Sequence, residues 1–180
     1  MVIELAIVIF SLSLFILYNI ISLVRFKVPT SLSNTFYLWN NSYKHAGISF
    51  TAMMGSMGLS LLPAWLELGE IISPWSTNLN FLAFFACAAI CFVGVAPAFK
   101  SNKLEGTVHT ASAIAAAVAS LVWCLVVCWQ IMYVPILTAG LVAAVAAFSK
   151  TFKSSLIYWL EMMAFGATFI TVIVELLMHL

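Results

Sequence analysis

Six long apolar stretches alternate with short polar connections along the chain. They cover residues 3–24, 45–66, 78–99, 107–130, 131–149 and 155–178. Each stretch is close to the roughly 20 residues that an α-helix needs to cross a hydrocarbon layer about 30 Å thick. The pattern therefore predicts an all-α polytopic membrane protein, in which residues 1–180 form a single domain of six bundled transmembrane helices.

The composition supports a membrane protein and excludes two other classes. Hydrophobic residues make up 64% of the chain and charged residues 7%, whereas an ordinary soluble domain has about 25% charged residues. The apolar stretches are continuous, so they do not fit the alternating strands of a membrane β-barrel. The net charge is only +1 and the basic residues form no long run, which excludes nucleic acid as a partner.

The basic residues fall in alternate connections. The first connection has Arg25, Lys27 and Lys44, the third has Lys100 and Lys103, and the fifth has Lys150 and Lys153. Loops rich in Lys and Arg stay in the cytoplasm. The asymmetry predicts that the odd connections face the cytoplasm and that both termini lie on the non-cytoplasmic side. We expect the protein to be integral to a bacterial cytoplasmic membrane.

The first connection, about twenty residues by this assignment, is the longest one. Connections of this length often do more than join two elements. Phe36, Tyr37 and Trp39 occur within a Ser/Thr/Asn-rich segment. We interpret the segment as amphipathic and lying on the inner leaflet.

Small and polar residues recur every three or four positions in three of the predicted helices, which places them on one face of each helix. The second helix has His45, Ser49, Ala52, Ser56, Ser60 and Pro63; the fourth has His109, Ser112, Ala116 and Ser120; the sixth has Glu161, Ala164, Thr168, Thr171 and Glu175. In a bilayer such faces contact other helices, because small side chains allow close approach and hydroxyls find partners there. The stripes predict three faces turned toward the interior of the bundle.

Ionisable side chains occur at the predicted cytoplasmic ends of these helices, and Glu175 lies near the predicted outer end of the sixth. An ionised side chain in a helix costs at least about 2.5 kcal/mol at the bilayer centre and is seldom kept without a use, so we predict a ligand-binding site. Its candidate residues are His45, Ser49, Glu105, His109, Ser112, Glu161, Thr168 and Glu175. Within this set, His45, His109 and Glu161 are candidate metal ligands. Helix capping and residence at the interface explain the same residues without a site.

The four cysteines form two pairs, Cys87 with Cys91 and Cys124 with Cys128. Both pairs have C-x3-C spacing, which differs from the C-x2-C spacing of zinc ribbons and redox motifs. We interpret these residues as small apolar side chains in helix interfaces.

Two segments carry a family resemblance. VPTSLSNTFY follows the first helix, and CFVGVAPAFKSNKLEGTVHTASA joins the third and fourth. They resemble the six-span group that includes the DRAM-type membrane proteins and related uncharacterised bacterial membrane families. The positions that carry the resemblance are Pro29, Ser33, Gly94, Pro97, Val108, His109 and Ala111. The resemblance implies a six-helix fold and no particular activity.

Several functions fit these observations. We favour a non-enzymatic protein with an inward polar cavity, open to the cytoplasmic side, that binds or passes a lipid, a small molecule or an ion. Its partners are then membrane lipids and further copies of the chain in a homo-oligomeric pore. An intramembrane lipid hydrolase with zinc on His45, His109 and Glu161 also fits. So do a b-type haem protein with His45 and His109 as axial ligands and a non-catalytic scaffold subunit.

Overall fold

The computed structural model describes residues 1–72, 74–98, 104–148 and 154–180. Within these ranges the α-helices are α1 (Val2–Phe26), α2 (Asn34–Ser42), α3 (Ile48–Ile72), α4 (Asn80–Val95), α5 (Leu104–Val127), α6 (Trp129–Phe148) and α7 (Leu156–Met178). Short 3-10 turns cover Pro74–Leu79 and Ala96–Ala98. No strand occurs in the described residues, so the predicted all-α class is confirmed.

Five helical segments of the described chain are long and apolar enough to cross a membrane. They are Val2–Phe26, Ile48–Ile72, Trp75–Val95, Val108–Val127 and Leu156–Met178. A further helix of 20 residues, α6, occupies the place of the predicted fifth stretch. These segments support the prediction of an integral membrane protein.

Large apolar side chains cover the outside of the helices. Val24 is 84% exposed, Leu59 71% and Leu137 69%. Soluble monomeric proteins rarely expose continuous apolar surface of this extent. The outer surface of the protein is therefore suited to contact with lipid tails.

Contacts between helix ends show the relative directions of α1, α3 and α7. The Met1 amine donates to Glu67 Oε1 at 2.9 Å and also pairs with Glu4, and these hydrogen bonds raise the pKa of the amine. Tyr158 Oη, at the start of α7, donates to Asn19 Oδ1, near the end of α1, at 3.1 Å. Consequently α1 is antiparallel to both α3 and α7.

The bundle thus has two ends that differ in charge. We call one the basic end, because Arg25, Lys27 and Lys44 lie there with the first connection. We call the other the acidic end, because Glu67 and Glu70 lie there at the end of α3. Lys100, Lys103, Lys150 and Lys153 lie outside the described residues.

Two glycines allow α3 and α4 to pack closely. A Cβ atom added at Gly58 would lie 2.9 Å from the Cys87 carbonyl oxygen, and one added at Gly94 would lie 2.7 Å from Met54 Cβ. Thr51 Oγ1 donates to the carbonyl oxygen of Gly94 at 2.7 Å. The α3–α4 pair is consequently a close-packed unit of the bundle.

The α5–α6 connection is a single bend at Cys128. The Cys128 N–H donates to the Cys124 carbonyl at 2.8 Å, and the Cys128 carbonyl accepts from Ile131 and Met132 at 3.1 Å each. Cys128 therefore separates the two helices, two residues before the predicted end of the fourth stretch at residue 130.

The first connection is hydrogen-bonded to the bundle. It contains the helix α2, in which Phe36 is buried and Tyr37 is exposed; its position on the inner leaflet stays a prediction. Tyr18 Oη donates to Thr35 Oγ1 at 2.7 Å, and Trp39 Nε1 donates to Ser22 Oγ at 2.9 Å. These bonds hold α2 against the end of α1, and α2 borders the open cavity at the basic end that is described below.

Candidate functional site

A narrow cavity lies inside the bundle toward the basic end, among α3, α4, α5 and α7. Its volume is about 40 Å³, which exceeds the roughly 10–15 Å³ that one water molecule requires. Most of the wall is apolar and includes Phe50, Met54, Leu61, Ile90, Val93, Ala113, Ala116 and Phe165. The polar residues of the wall are Ser33, Ser120, Glu161 and Thr168.

Glu161 closes the cavity toward the first connection. Its Oε2 accepts the backbone N–H of Leu32 at 2.6 Å, and Leu32 itself is 2% exposed. The next residue, Ser33, also lines the cavity. The carboxylate of α7 therefore holds the first connection over the basic end of the cavity.

The two hydroxyls deeper in the cavity use their protons within their own helices. Ser120 Oγ donates to the Ala116 carbonyl at 2.6 Å, and Thr168 Oγ1 donates to the Ala164 carbonyl at 2.9 Å. The groups that these side chains present to the cavity are the lone pairs of the hydroxyl oxygens and methyl or methylene groups. The interior space is consequently apolar, with weak acceptors along its wall.

An outer groove lies beside the cavity, between α5, α6 and α7. Its volume is about 350 Å³, and its wall includes Leu121, Met132, Ile136, Leu160, Met163 and Ala167. Ala117 and Ala164 line both the groove and the interior cavity. Because Ala117 of α5 and Ile136 of α6 border the same groove, α6 folds back alongside α5 after the Cys128 bend.

The structure gathers part of the predicted site around the cavity. Glu161 and Thr168 line it, as expected from the stripe on α7. His109 and Ser112 are partly buried in α5 but are not among the lining residues. The side chain of Glu105 lies outside the part of the chain that the structure describes.

Three of the predicted site residues lie elsewhere. His45 and Ser49 are exposed at the start of α3, where Ser49 Oγ donates to the Ala46 carbonyl at 2.6 Å. Glu175 is 7% exposed near the acidic end, and its Oε2 lies 3.6 Å from His179 Nε2. Fourteen residues of helix separate Glu175 from Glu161, which is about 21 Å along the axis.

The described residues contain no group of three or more His, Cys, Asp or Glu side chains placed to hold a metal ion. Glu161 lines the interior cavity, whereas His45 lines a separate open cavity. Neither the zinc site on His45, His109 and Glu161 nor the haem site on the two histidines draws support from this geometry. Both stay predictions.

The sequence pattern did not indicate which residues of α3 line the cavity. The predicted polar stripe of α3 turns partly toward α1, where Ser56 Oγ lies 3.5 Å from Ser11 Oγ. Phe50 and Met54 of α3 face the cavity instead. The signal that did point to the cavity was the run of small residues in α5, because alanines leave space between helices.

No family model, curated protein or solved structure matches this chain. The proposals below therefore rest on the geometry of the cavity and on the charge pattern of the chain.

Proposed function

We propose that this protein is a six-span integral membrane protein, without enzymatic activity, that binds a lipid-phase ligand in its interior cavity. The ligand class is the end of a slender apolar chain, such as the terminal segment of one acyl chain of a membrane lipid, because the cavity of about 40 Å³ takes roughly three water-sized groups. One observation carries the proposal: Ala117 and Ala164 form a wall shared by the interior cavity and the outer groove.

The lining of the cavity supports an apolar ligand. Four of its lining residues are polar, and two of these, Glu161 and Thr168, lie seven residues apart on α7, or about 10 Å. The other lining residues are apolar. A ligand with many hydrogen-bonding groups would leave them unpaired, which costs free energy. An alkyl chain has no such groups, and its burial is favourable.

The shared alanine wall supports entry from the side. Alanine has the smallest side chain after glycine, so a small separation of α5 from α7 would connect the groove with the cavity. The groove lies between helices with exposed apolar residues, including Ile136 and Leu160. A ligand dissolved in the bilayer would therefore reach the cavity without passing through water.

The charge pattern supports the orientation. We propose that α6 is the sixth span and that the basic end faces the cytoplasm of a bacterial cell, because Arg25, Lys27 and Lys44 lie there. Glu67 and Glu70 then lie on the outer side.

Photolabelling tests the binding proposal. The purified protein is reconstituted in vesicles that contain a phospholipid with a photoreactive diazirine in its acyl chain, and labelled residues are identified by mass spectrometry. We expect labels within residues 113–120 of α5 and 161–168 of α7, which border the cavity.

The variant Ala164→Phe provides the critical comparison, because a ring at this position fills the shared wall. We expect it to lose most of the cavity labels while labels on outer residues such as Leu59 persist. Ala52→Phe is the matched control, since Ala52 is exposed on α3 and borders neither space. Equal labelling of the cavity segments in both variants would count against the proposal.

A further inference from the structure

A second, open cavity lies at the basic end, between α2 and the start of α3. Its volume is about 680 Å³, within the usual range of ligand sites, about 300–1,000 Å³. The polar part of its wall consists of Asn40, Asn41, Lys44, His45 and Thr51. This cavity is distinct from the interior cavity and uses none of its lining residues.

A left-handed turn brings Lys44 and His45 to this wall. His45 has a φ of 66°, a backbone conformation that is uncommon for residues other than glycine. Such conformations persist where the surrounding structure imposes them and are concentrated at ligand-binding sites. The His45 carbonyl accepts the Ile48 N–H at 3.2 Å, so the turn leads directly into α3.

Close packing behind the turn keeps α2 beside α3. A Cβ atom added at Gly47 would lie 2.9 Å from the ring of Phe36 and 3.0 Å from the Phe36 carbonyl oxygen. Phe36 also contacts Phe50, with ring centroids 6.4 Å apart. The cavity is therefore framed by packed residues, although its mouth is open.

The wall of this cavity is rich in hydrogen-bond donors. Asn40 and Asn41 supply amide N–H groups, Lys44 supplies an ammonium group, and His45 supplies an imidazole N–H. None of the described residues that line it is acidic. Ammonium and amide donors around an open space are suited to the oxygen atoms of a phosphate group.

Aromatic residues beside this cavity indicate the depth of lipid headgroups. Trp39 and Tyr43 stack beside it, with ring centroids 6.1 Å apart, and Tyr37 is exposed on the same helix. Trp and Tyr favour the membrane interface. At this depth, membrane lipids are the abundant source of phosphate groups.

We propose that this cavity binds the phosphate of an anionic phospholipid headgroup. The proposal rests on the membrane position proposed for the basic end, where anionic lipids attract basic residues. It does not depend on a ligand in the interior cavity. The two proposals therefore fail independently.

Lipid binding to the purified full-length protein in detergent tests this proposal. Native mass spectrometry measures binding of phosphatidylglycerol and of phosphatidylcholine, and inorganic phosphate is added as a competitor. We expect phosphatidylglycerol to bind more tightly than phosphatidylcholine. We expect Lys44→Gln to weaken phosphatidylglycerol binding about tenfold, the effect of losing one hydrogen bond between charged groups.

Two further variants separate the site from general charge. His45→Asn removes the imidazole while keeping a residue that tolerates positive φ, and it should weaken binding in the same direction. Lys27→Gln removes the same charge from an exposed position at the same end, outside the cavity, and should leave binding unchanged. Equal binding of the two lipids, equal effects of Lys44→Gln and Lys27→Gln, or displacement of the lipid by inorganic phosphate at similar concentration would each overturn the proposal.

Discussion

The carboxylate of Glu161 accepts the backbone N–H of Leu32, a residue 129 positions earlier in the chain. The same carboxylate lines the interior cavity. Without a partner, the Leu32 amide would be buried and unsatisfied, because this residue is 2% exposed. Glu161 therefore links the first connection to α7 and also forms one end of the proposed ligand site.

Replacement of Glu161 separates these two roles. Glu161→Ala leaves the Leu32 N–H without an acceptor, and we expect it to lower the free energy of unfolding by about 1–3 kcal/mol. Glu161→Gln keeps a carbonyl oxygen at this position and should retain most of the stability. Thermal unfolding of both variants in detergent, followed by tryptophan fluorescence, measures the difference. A Gln variant as unstable as the Ala variant would show that the Leu32 hydrogen bond is not the source of the effect.

The sequence indicated Glu161 but not its partner. An ionisable side chain in an apolar helix is a conspicuous signal, and Glu161 does face the interior of the bundle. Leu32 lies in a polar connection, and nothing in the sequence around it indicates that its backbone N–H donates to a distant carboxylate. A contact over 129 residues depends on how the helices assemble, which local patterns do not encode.

Helices α3 and α4 pack closely, and the packing depends on glycine. Gly58 faces the Cys87 carbonyl, and Cys91 Sγ would also lie 2.9 Å from an added Cβ. Gly94 faces Met54 from the opposite helix. Attraction between membrane helices depends on such close contact, because lipid tails are as apolar as the side chains.

A pair of alanine substitutions in α3 tests this packing. Gly58→Ala introduces a methyl group against the backbone of α4, and we expect a loss of about 1–3 kcal/mol in the free energy of unfolding, typical of overpacking. Gly55→Ala is the matched control, because an added Cβ there meets nothing within 4 Å and alanine has the higher helix propensity. Thermal unfolding in detergent should place Gly58→Ala below the parent protein and Gly55→Ala at or above it. The reverse order would contradict the assigned α3–α4 interface.

At the scale of elements, helix positions could be predicted better than helix orientation. The predicted stretch 155–178 nearly coincides with Leu156–Met178, because about twenty continuous apolar residues are a strong signal. The face of α3 that turns toward the interior was harder to predict, because its small residues include exposed Ser49 and Ala52 as well as buried Ser60. Both sides of a membrane helix are apolar, so the pattern does not distinguish a face toward lipid from one toward another helix.

At the scale of the whole molecule, charge and helix direction agree. The contacts of Met1 with Glu67 and of Tyr158 with Asn19 place the first connection and the start of α7 at the same end. Arg25, Lys27 and Lys44 lie at that end, and no Lys or Arg is found among the described residues at the acidic end. The alternation of direction is what a chain that crosses a bilayer repeatedly requires.

Cysteine labelling tests the proposed orientation. Ser42→Cys and Glu70→Cys introduce thiols at exposed positions, the first at the basic end and the second at the acidic end. Because the positive-inside rule places the basic end in the cytoplasm, a membrane-impermeant maleimide should label Glu70→Cys in intact bacterial cells. It should label Ser42→Cys only after the membrane is permeabilised.

Labelling of the native cysteines in the parent protein gives the background of this experiment. Three of its cysteines are buried and Cys91 is partly exposed, and Cys91 lies beside Gly58 within the helix packing. We therefore expect little labelling of the parent protein from either side. Labelling of Ser42→Cys in intact cells, with Glu70→Cys protected, would show that the orientation is the reverse of the proposed one. The open cavity between α2 and α3 would then lie at the outer leaflet.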